Sequence, residues 1–152
     1  MAGKLKSGGI QIHVIPSIGV SMKALAALLL AALPLSAQTW EHDLAAAQKR
    51  AKAEHKLIFA DVWTEWCGWC IKLQKEVFPS PEGKAALSTV VPLSLKTQLR
   101  NGTPTELSYL EQRFEVSGFP TLLILDADGK VLRRNPGYLP PKEFAAWIKQ
   151  GK

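Results

Sequence analysis

Cys67 and Cys70 are the only cysteines in this chain of 152 residues, and two residues separate them in the stretch FADVWTEWCGWC, 59–70. Thiols at this spacing have three chemistries open to them. They can ligate a metal, brace a fold as a disulfide, or exchange electrons with other thiols and disulfides. A zinc site asks for four ligands, and only two sulfurs exist. His42 and His55 have no ligand-like spacing to the pair, so no metal ligand is assigned. A loop this short restricts the unfolded chain little and braces a fold poorly. Exchange is the favoured reading, with the metal and bracing readings kept as rivals.

The elements that must position the pair follow from hydrophobic periodicity. LIFADVW (57–63) is a short apolar run of strand formers and reads as a buried strand. CGWCIKLQKEVF (67–78) has helical spacing, and Pro79 and Pro81 stop it. Cys67 thus falls where strand gives way to helix, among unpaired N–H groups at the positive end of the helix dipole. Both favour a thiolate, the species that attacks disulfides. Cys70 lies one turn deeper on the same side, within reach of Cys67. The spacing fits Cys67 as nucleophile and Cys70 as resolving thiol.

The remaining elements complete an alternating pattern. Thr39 is placed to cap a helix from about Trp40 to Glu54, with Leu44, Ala47 and Ala51 on one face. A short helix is expected at 82–87, and STVVPLSL (88–95) reads as a second strand, with Pro92 counting against it. TQLRNGTP is a loop and Thr105 caps a helix over 105–115, in which Tyr109 and Phe114 are expected to pack. TLLILD is a strand, DADGK a hairpin turn, VLRRN the returning strand and KEFAAWIKQ a closing amphipathic helix. Alternation ending in a hairpin implies an α/β fold with a mixed sheet.

Composition sets the class and the compartment. A content of 47% hydrophobic and 21% charged residues suits one globular domain. The formal charge of +6 does not mark a nucleic-acid binder. Lys4, Lys6 and Lys23 are the only charged residues before position 38, the other 16 basic residues face 13 acidic ones, and no run of five like charges occurs. MKALAALLLAALPLSAQ starts at Met22 with one positive residue, an apolar run and a small-residue end at Ser36-Ala37. That is the order of a secretory signal, and its apolar run is shorter than the roughly 20 residues of a membrane span. Residues 22–37 are therefore expected to be a signal peptide cut near Ala37, and 1–21 a leader or non-native extension before the true start at Met22. Residues 38–152 form the mature domain, periplasmic or secreted, where a cysteine pair can be oxidised.

ADVWTEWCGWC resembles the active-site segment of the thioredoxin superfamily, and SGFPT (117–121) resembles its cis-proline loop. The resemblance covers about residues 40–150. It rests on a preceding strand, a tryptophan directly before the pair, an acid six residues upstream and Phe-Pro-Thr about fifty residues later. It implies a thioredoxin-like fold, a central mixed β-sheet flanked by helices, here with an extra N-terminal helix. It assigns Asp61 as a buried acid beneath the disulfide, its pKa raised by burial, moving the proton of the resolving thiol. Thioredoxin itself partners this acid with a lysine; Pro92 or a neighbour stands there in this chain. The resemblance makes Trp63 structural and the bond before Pro120 cis, which leaves the backbone of Phe119 to pair with an extended substrate. Gly118 is expected to permit a close approach there. Substrate contacts are expected at Trp66, Gly68, Trp69, Phe119 and Pro120.

Two departures bear on direction and specificity. Strong oxidants of the superfamily often carry histidine between the cysteines, where it stabilises the thiolate. Trp69 carries no charge, which points to the reducing or intermediate side. Trp69 either grips a client or covers the helix end. The segment 97–115 is longer than in thioredoxin and resembles secreted members such as the soluble C-terminal domain of the periplasmic reductase DsbD. The resemblance thus implies a thiol:disulfide oxidoreductase acting on disulfides of exported proteins, supplied by a membrane-embedded electron donor, with no cofactor beyond the Cys67–Cys70 disulfide. Its rivals are a disulfide oxidase or isomerase and a non-catalytic client- or metal-binding module, a copper-delivery protein among them.

If synthesis starts at Met22 and processing follows Ala37, the exported protein begins at Gln38. Intact-mass measurement of the native precursor and mature forms checks this, and a mature form that keeps residues 22–37 contradicts it.

Overall fold

The computed structural model describes residues 39–150 and, besides them, Gly3. The expected signal segment, its cleavage point and the rest of residues 1–21 lie outside the described residues. Among the described residues no helix is long and apolar enough to cross a membrane. The elements are α1 (Leu44–Glu54), β1 (Ile58–Thr64), α2 (Gly68–Lys72) continued by a π turn (Leu73–Val77), α3 (Pro81–Leu87), β2 (Val91–Gln98), α4 (Tyr109–Arg113), β3 (Thr121–Leu125), β4 (Val131–Pro136) and α5 (Pro141–Lys149).

Four strands form one mixed sheet in the order β2-β1-β3-β4. β1 pairs parallel with β2 and antiparallel with β3, and β3 pairs antiparallel with β4. Side chains alternate across a strand, so β1 supplies both faces. Ile58, Ala60 and Val62 join Leu44, Ala47, Ala51, Leu110 and Phe114 under α1 and α4. Phe59 joins Leu73, Val77, Phe78, Phe144 and Ile148 under α2, α3 and α5. Each Val, Leu, Ile or Phe among them, once fully buried, stabilises the fold by about 1.5–3 kcal/mol before chain entropy is counted, and each alanine by less.

The thioredoxin-like α/β architecture expected from the sequence is present, including the N-terminal helix. Several boundaries differ. The first helix starts at Leu44 and is capped by Asp43, whose Oδ1 accepts the Ala46 N–H at 2.8 Å. Trp40 and Glu41 do other work. Trp40 packs against Phe59 and Phe78, with ring centroids 6.0 and 5.1 Å away. Glu41 bridges the outer edge of β2, donating its N–H to Pro92 O and accepting from Ser94 N. That pairing also explains why Pro92 fits within β2. The backbone of Pro92 faces outward, so its missing N–H costs no bond to β1.

Thr105 does not cap a helix over 105–115. Its N–H donates to Thr97 O and its hydroxyl to Lys96 O at 2.7 Å, which ties the segment to β2, and the helix is only Tyr109–Arg113. Phe114 packs as expected, but Tyr109 is exposed. The second strand starts and ends three residues later than expected, at Val91 and Gln98, and absorbs Thr97, which is buried.

Gly83, at the start of α3, has no room for a side chain, because a Cβ there would fall on the Val77 carbonyl that ends the π turn. At Gly118 a Cβ meets nothing within 4 Å, so no neighbour within the protein requires glycine there. Gly83→Ala is expected to destabilise by about 1–3 kcal/mol, and Gly118→Ala to change stability by less than about 1 kcal/mol. Urea unfolding of the two variants checks this, and equal effects contradict it.

Candidate active site

β1 ends at Thr64, and a short turn carries the chain into α2. Cys67 occupies the N-cap of α2 in an extended conformation, and its Sγ accepts the Cys70 N–H at 3.1 Å. The Cys67 carbonyl accepts Ile71 N–H at 3.1 Å, the first bond of the helical ladder. The two cysteines form a disulfide with Cα atoms 5.3 Å apart. Cys67 is 5% exposed and Cys70 is fully buried, so Cys67 is the sulfur nearer solvent. A sulfur that caps a helix sits where backbone N–H groups and the dipole favour negative charge.

Asp61 shares the face of β1 with Phe59 and Trp63, the side covered by α2. It is 1% exposed, and neither carboxylate oxygen receives a hydrogen bond of good geometry. Desolvation by burial pushes its pKa up to about 7, and the nearby Gln74 amide offsets this only in part. Gln74 lies in the π turn that widens the helix behind the cysteines. Pro92 and Ser94 stand opposite Phe59 and Asp61 in the β1–β2 register, so no lysine occupies that part of β2. A carboxyl held this way can take up and release a proton near neutral pH.

The rim of the site is aromatic. Trp66 is 50% exposed, its Nε1–H donates to Gln98 Oε1 at 3.0 Å, and its ring meets Phe119 edge-on at 5.6 Å. The Phe119–Pro120 bond is cis. Phe119 also packs against the core beneath α1, so its side chain serves packing and rim together. Trp69 is 58% exposed and leans on Tyr138 at 5.4 Å. Lys72 Nζ sits over both rings, 5.4 and 5.3 Å from their centroids. Gly68 faces open space. Trp63 is structural, donating Nε1–H to Ser94 Oγ at 2.8 Å.

The sequence reading did not single out Tyr138, Lys72, Gln98 or Gln74. Lys72 follows Trp69 by three residues on one helix, a spacing that places both on one face and was a usable signal. Tyr138 and Gln98 arrive from distant strands' ends and carry no local signal. Among the described residues no group of three or more His, Cys, Asp or Glu side chains is arranged to hold a metal.

Comparison with known proteins gives a consistent result. A family model described as a thioredoxin-like domain matches residues 44–152. The chain is 31% identical over 112 residues to the thiol:disulfide interchange protein DsbD of Pseudoalteromonas atlantica, covering 72% of this chain and 18% of that protein. It is 33% identical over 103 residues to the disulfide bond reductase DsbH of Chlamydia pneumoniae, covering 62% of this chain and 60% of that protein. The chain therefore spans about a fifth of the DsbD relatives and three fifths of DsbH. Its fold is similar to the oxidised C-terminal domain of Neisseria meningitidis DsbD, with a TM-score of 0.62 and 20% identity over 75% of this chain and 100% of that one.

Asp61 makes stability depend on pH in a definite direction. Its folded pKa, raised by burial to about 7, lies above the ordinary aspartate value of 3.8 that the unfolded chain takes. The native state thus keeps a proton that the unfolded chain gives up, and stability falls as pH rises from about 4 through about 7. In Asp61→Asn that fall is absent. The stability of the oxidised variant relative to wild type is expected to improve by on the order of 4 kcal/mol between pH 4 and pH 8. Denaturant unfolding across that range checks it, and parallel pH profiles contradict it.

Proposed function

The chain belongs to the thioredoxin-like family, and from that premise we propose that it is a periplasmic or secreted thiol:disulfide oxidoreductase that donates electrons to disulfides of exported proteins. The observation that carries the reading is the cystine at the start of α2, with Cys67 Sγ as N-cap and Cys70 buried behind it. In the reduced protein the Cys67 thiolate attacks one sulfur of a substrate disulfide. The substrate S–S bond breaks, a mixed disulfide forms, and the leaving sulfur takes up a proton. Asp61 accepts the proton of the Cys70 thiol, and the Cys70 thiolate attacks Cys67 Sγ. The mixed disulfide breaks, the Cys67–Cys70 bond closes, and two electrons have passed to the substrate as two thiols. Trp66, Trp69, Gly68, Phe119 and Pro120 form the surface on which an extended client lies. The backbone of Phe119 is open to pairing by strand addition, with no backbone partner among the described residues.

The reducing direction is supported by two facts of different kind. The relative DsbH is named a disulfide bond reductase. No charged side chain lies between the cysteines, where Gly68 and Trp69 stand. Return of the cystine to the dithiol needs a donor of electrons, and for an exported protein with relatives named DsbD we assign that role to a membrane-embedded thiol reductant.

Cys70→Ser is expected to accumulate covalent mixed disulfides through Cys67 with exported proteins, and the wild-type dithiol to reduce insulin. Non-reducing gels and mass spectrometry of the adducts read the first. A reduction potential near −120 mV, the value of a strong oxidant of this fold, overturns the reducing direction. The absence of both adducts and insulin reduction favours a non-catalytic binding module.

A further inference from the structure

We propose that Gln98 is a positioning residue for substrate recognition. Through the chain Glu111–Gln98–Trp66 it fixes the indole beside Cys67, so that the segment 99–115 acts on substrate affinity without touching the substrate. The inference rests on the oxidoreductase reading above and extends it to what sets the shape of the rim.

The geometry is specific to an amide. Gln98 Oε1 accepts the indole N–H of Trp66 at 3.0 Å, and its Nε2 donates to Glu111 Oε1 at 3.0 Å. One side chain thus needs an acceptor and a donor at once, which an uncharged amide supplies and a carboxylate does not. The bond to a charged acceptor is the stronger kind and holds the amide in one orientation. Gln98 is itself held by its backbone. It ends β2 opposite Thr64, where the β1–β2 register shifts between Trp63 and Thr64. Its carbonyl accepts the Glu65 N–H at 3.1 Å, and it bridges Pro104 across the loop. Glu65, next to Trp66, is braced in turn. Its carboxylate accepts from Lys96 Nζ at 2.7 Å and from the Arg100 N–H at 3.0 Å.

These contacts hold the indole while leaving half of it exposed. Trp66 stays half exposed and meets Phe119 edge-on at 5.6 Å, so the two rings form one aromatic wall. A ring that is exposed and unheld samples other rotamers, and a client must then order it on binding. With the N–H bonded and the ring packed at right angles to Phe119, that ordering is already done. The extra length of the chain before Pro120 acquires a purpose in this arrangement, since Glu111 lies on α4 within it.

The test compares insulin reduction and the Trp66 indole N–H resonance in the wild type and four variants. Gln98→Ala is expected to raise KM for insulin about five-fold, as one lost hydrogen bond implies, with kcat changed less than about two-fold. Its indole N–H exchanges faster with solvent. Gln98→Glu shows a similar rise, because it removes the donor and sets like charges together. Adding Glu111→Gln to Gln98→Glu reverses donor and acceptor and restores KM and the resonance. Glu111→Ala, a second route to the same loss should Gln98→Ala fail to fold, raises KM in the same direction. An unmoved KM in these single variants, equal losses in kcat and KM, or no rescue by the double variant overturns the assignment. A wild-type protein that reduces no insulin defeats the oxidoreductase reading itself, and this inference falls with it.

Discussion

β1 is hydrogen-bonded along both edges and covered on both faces, and the site depends on what that central strand is made to carry. Ile58, Phe59, Ala60 and Val62 meet the demand for apolar side chains without strain. Asp61 does not. An ionised carboxylate without hydrogen bonds, sealed beneath a helix, costs several kcal/mol, and the fold relieves this by keeping the carboxyl protonated into the neutral range. The same strand delivers the chain directly to the N-cap of α2. The buried carboxyl and the cystine are therefore placed by one continuous run of backbone, with no loop between them long enough to drift.

A second constraint holds the far end of α2. Phe59 makes edge-on ring contacts with Trp40, Phe78, Phe144 and Trp147 at centroid distances of 5.3 to 6.4 Å. Large aromatic groups contribute much of a small core's burial, and offset or edge-on pairs add to it. The cluster fastens the N-terminal segment, the π turn and α5 to one face of the sheet. The cystine end of α2 is thereby left to chemistry and the other end to packing.

Much of this was legible in the residue order, for physical reasons. β1 and β3 are short, mostly apolar runs rich in strand formers and too short for a buried helix, and the hairpin turn is written in Asp126 and Gly129. Asp126 Oδ1 accepts from Asp128 N and Lys130 N, and Gly129 takes φ 81°. The cysteine spacing and Phe-Pro-Thr pointed to the disulfide and to the cis bond that the structure contains. What escaped were features decided by distant partners. Trp40 has helix-compatible neighbours, yet aromatic burial and the edge of β2 claimed it and Glu41. Thr105 has the chemistry of a cap, yet Lys96 and Thr97 claimed it. Gln98 and Glu111 stand thirteen residues apart on a strand and a helix, with nothing in either local pattern to join them. Propensity describes a segment alone, and in each of these cases the tertiary partner won.

The arrangement of Trp69, Lys72 and Tyr138 has a consequence for the dithiol. Opening the cystine removes the covalent link across the first turn of α2, which would otherwise be free to fray. Trp69 leans on Tyr138 with Lys72 over both rings, non-covalent contacts on that turn that do not run through the sulfur–sulfur bond. Two thiols kept at a fixed short separation meet each other at a high effective molarity. A high effective molarity favours ring closure, and a pair that closes readily gives its electrons away readily. The tryptophan between the cysteines thus braces the turn that carries both sulfurs, a contribution separate from its lack of charge.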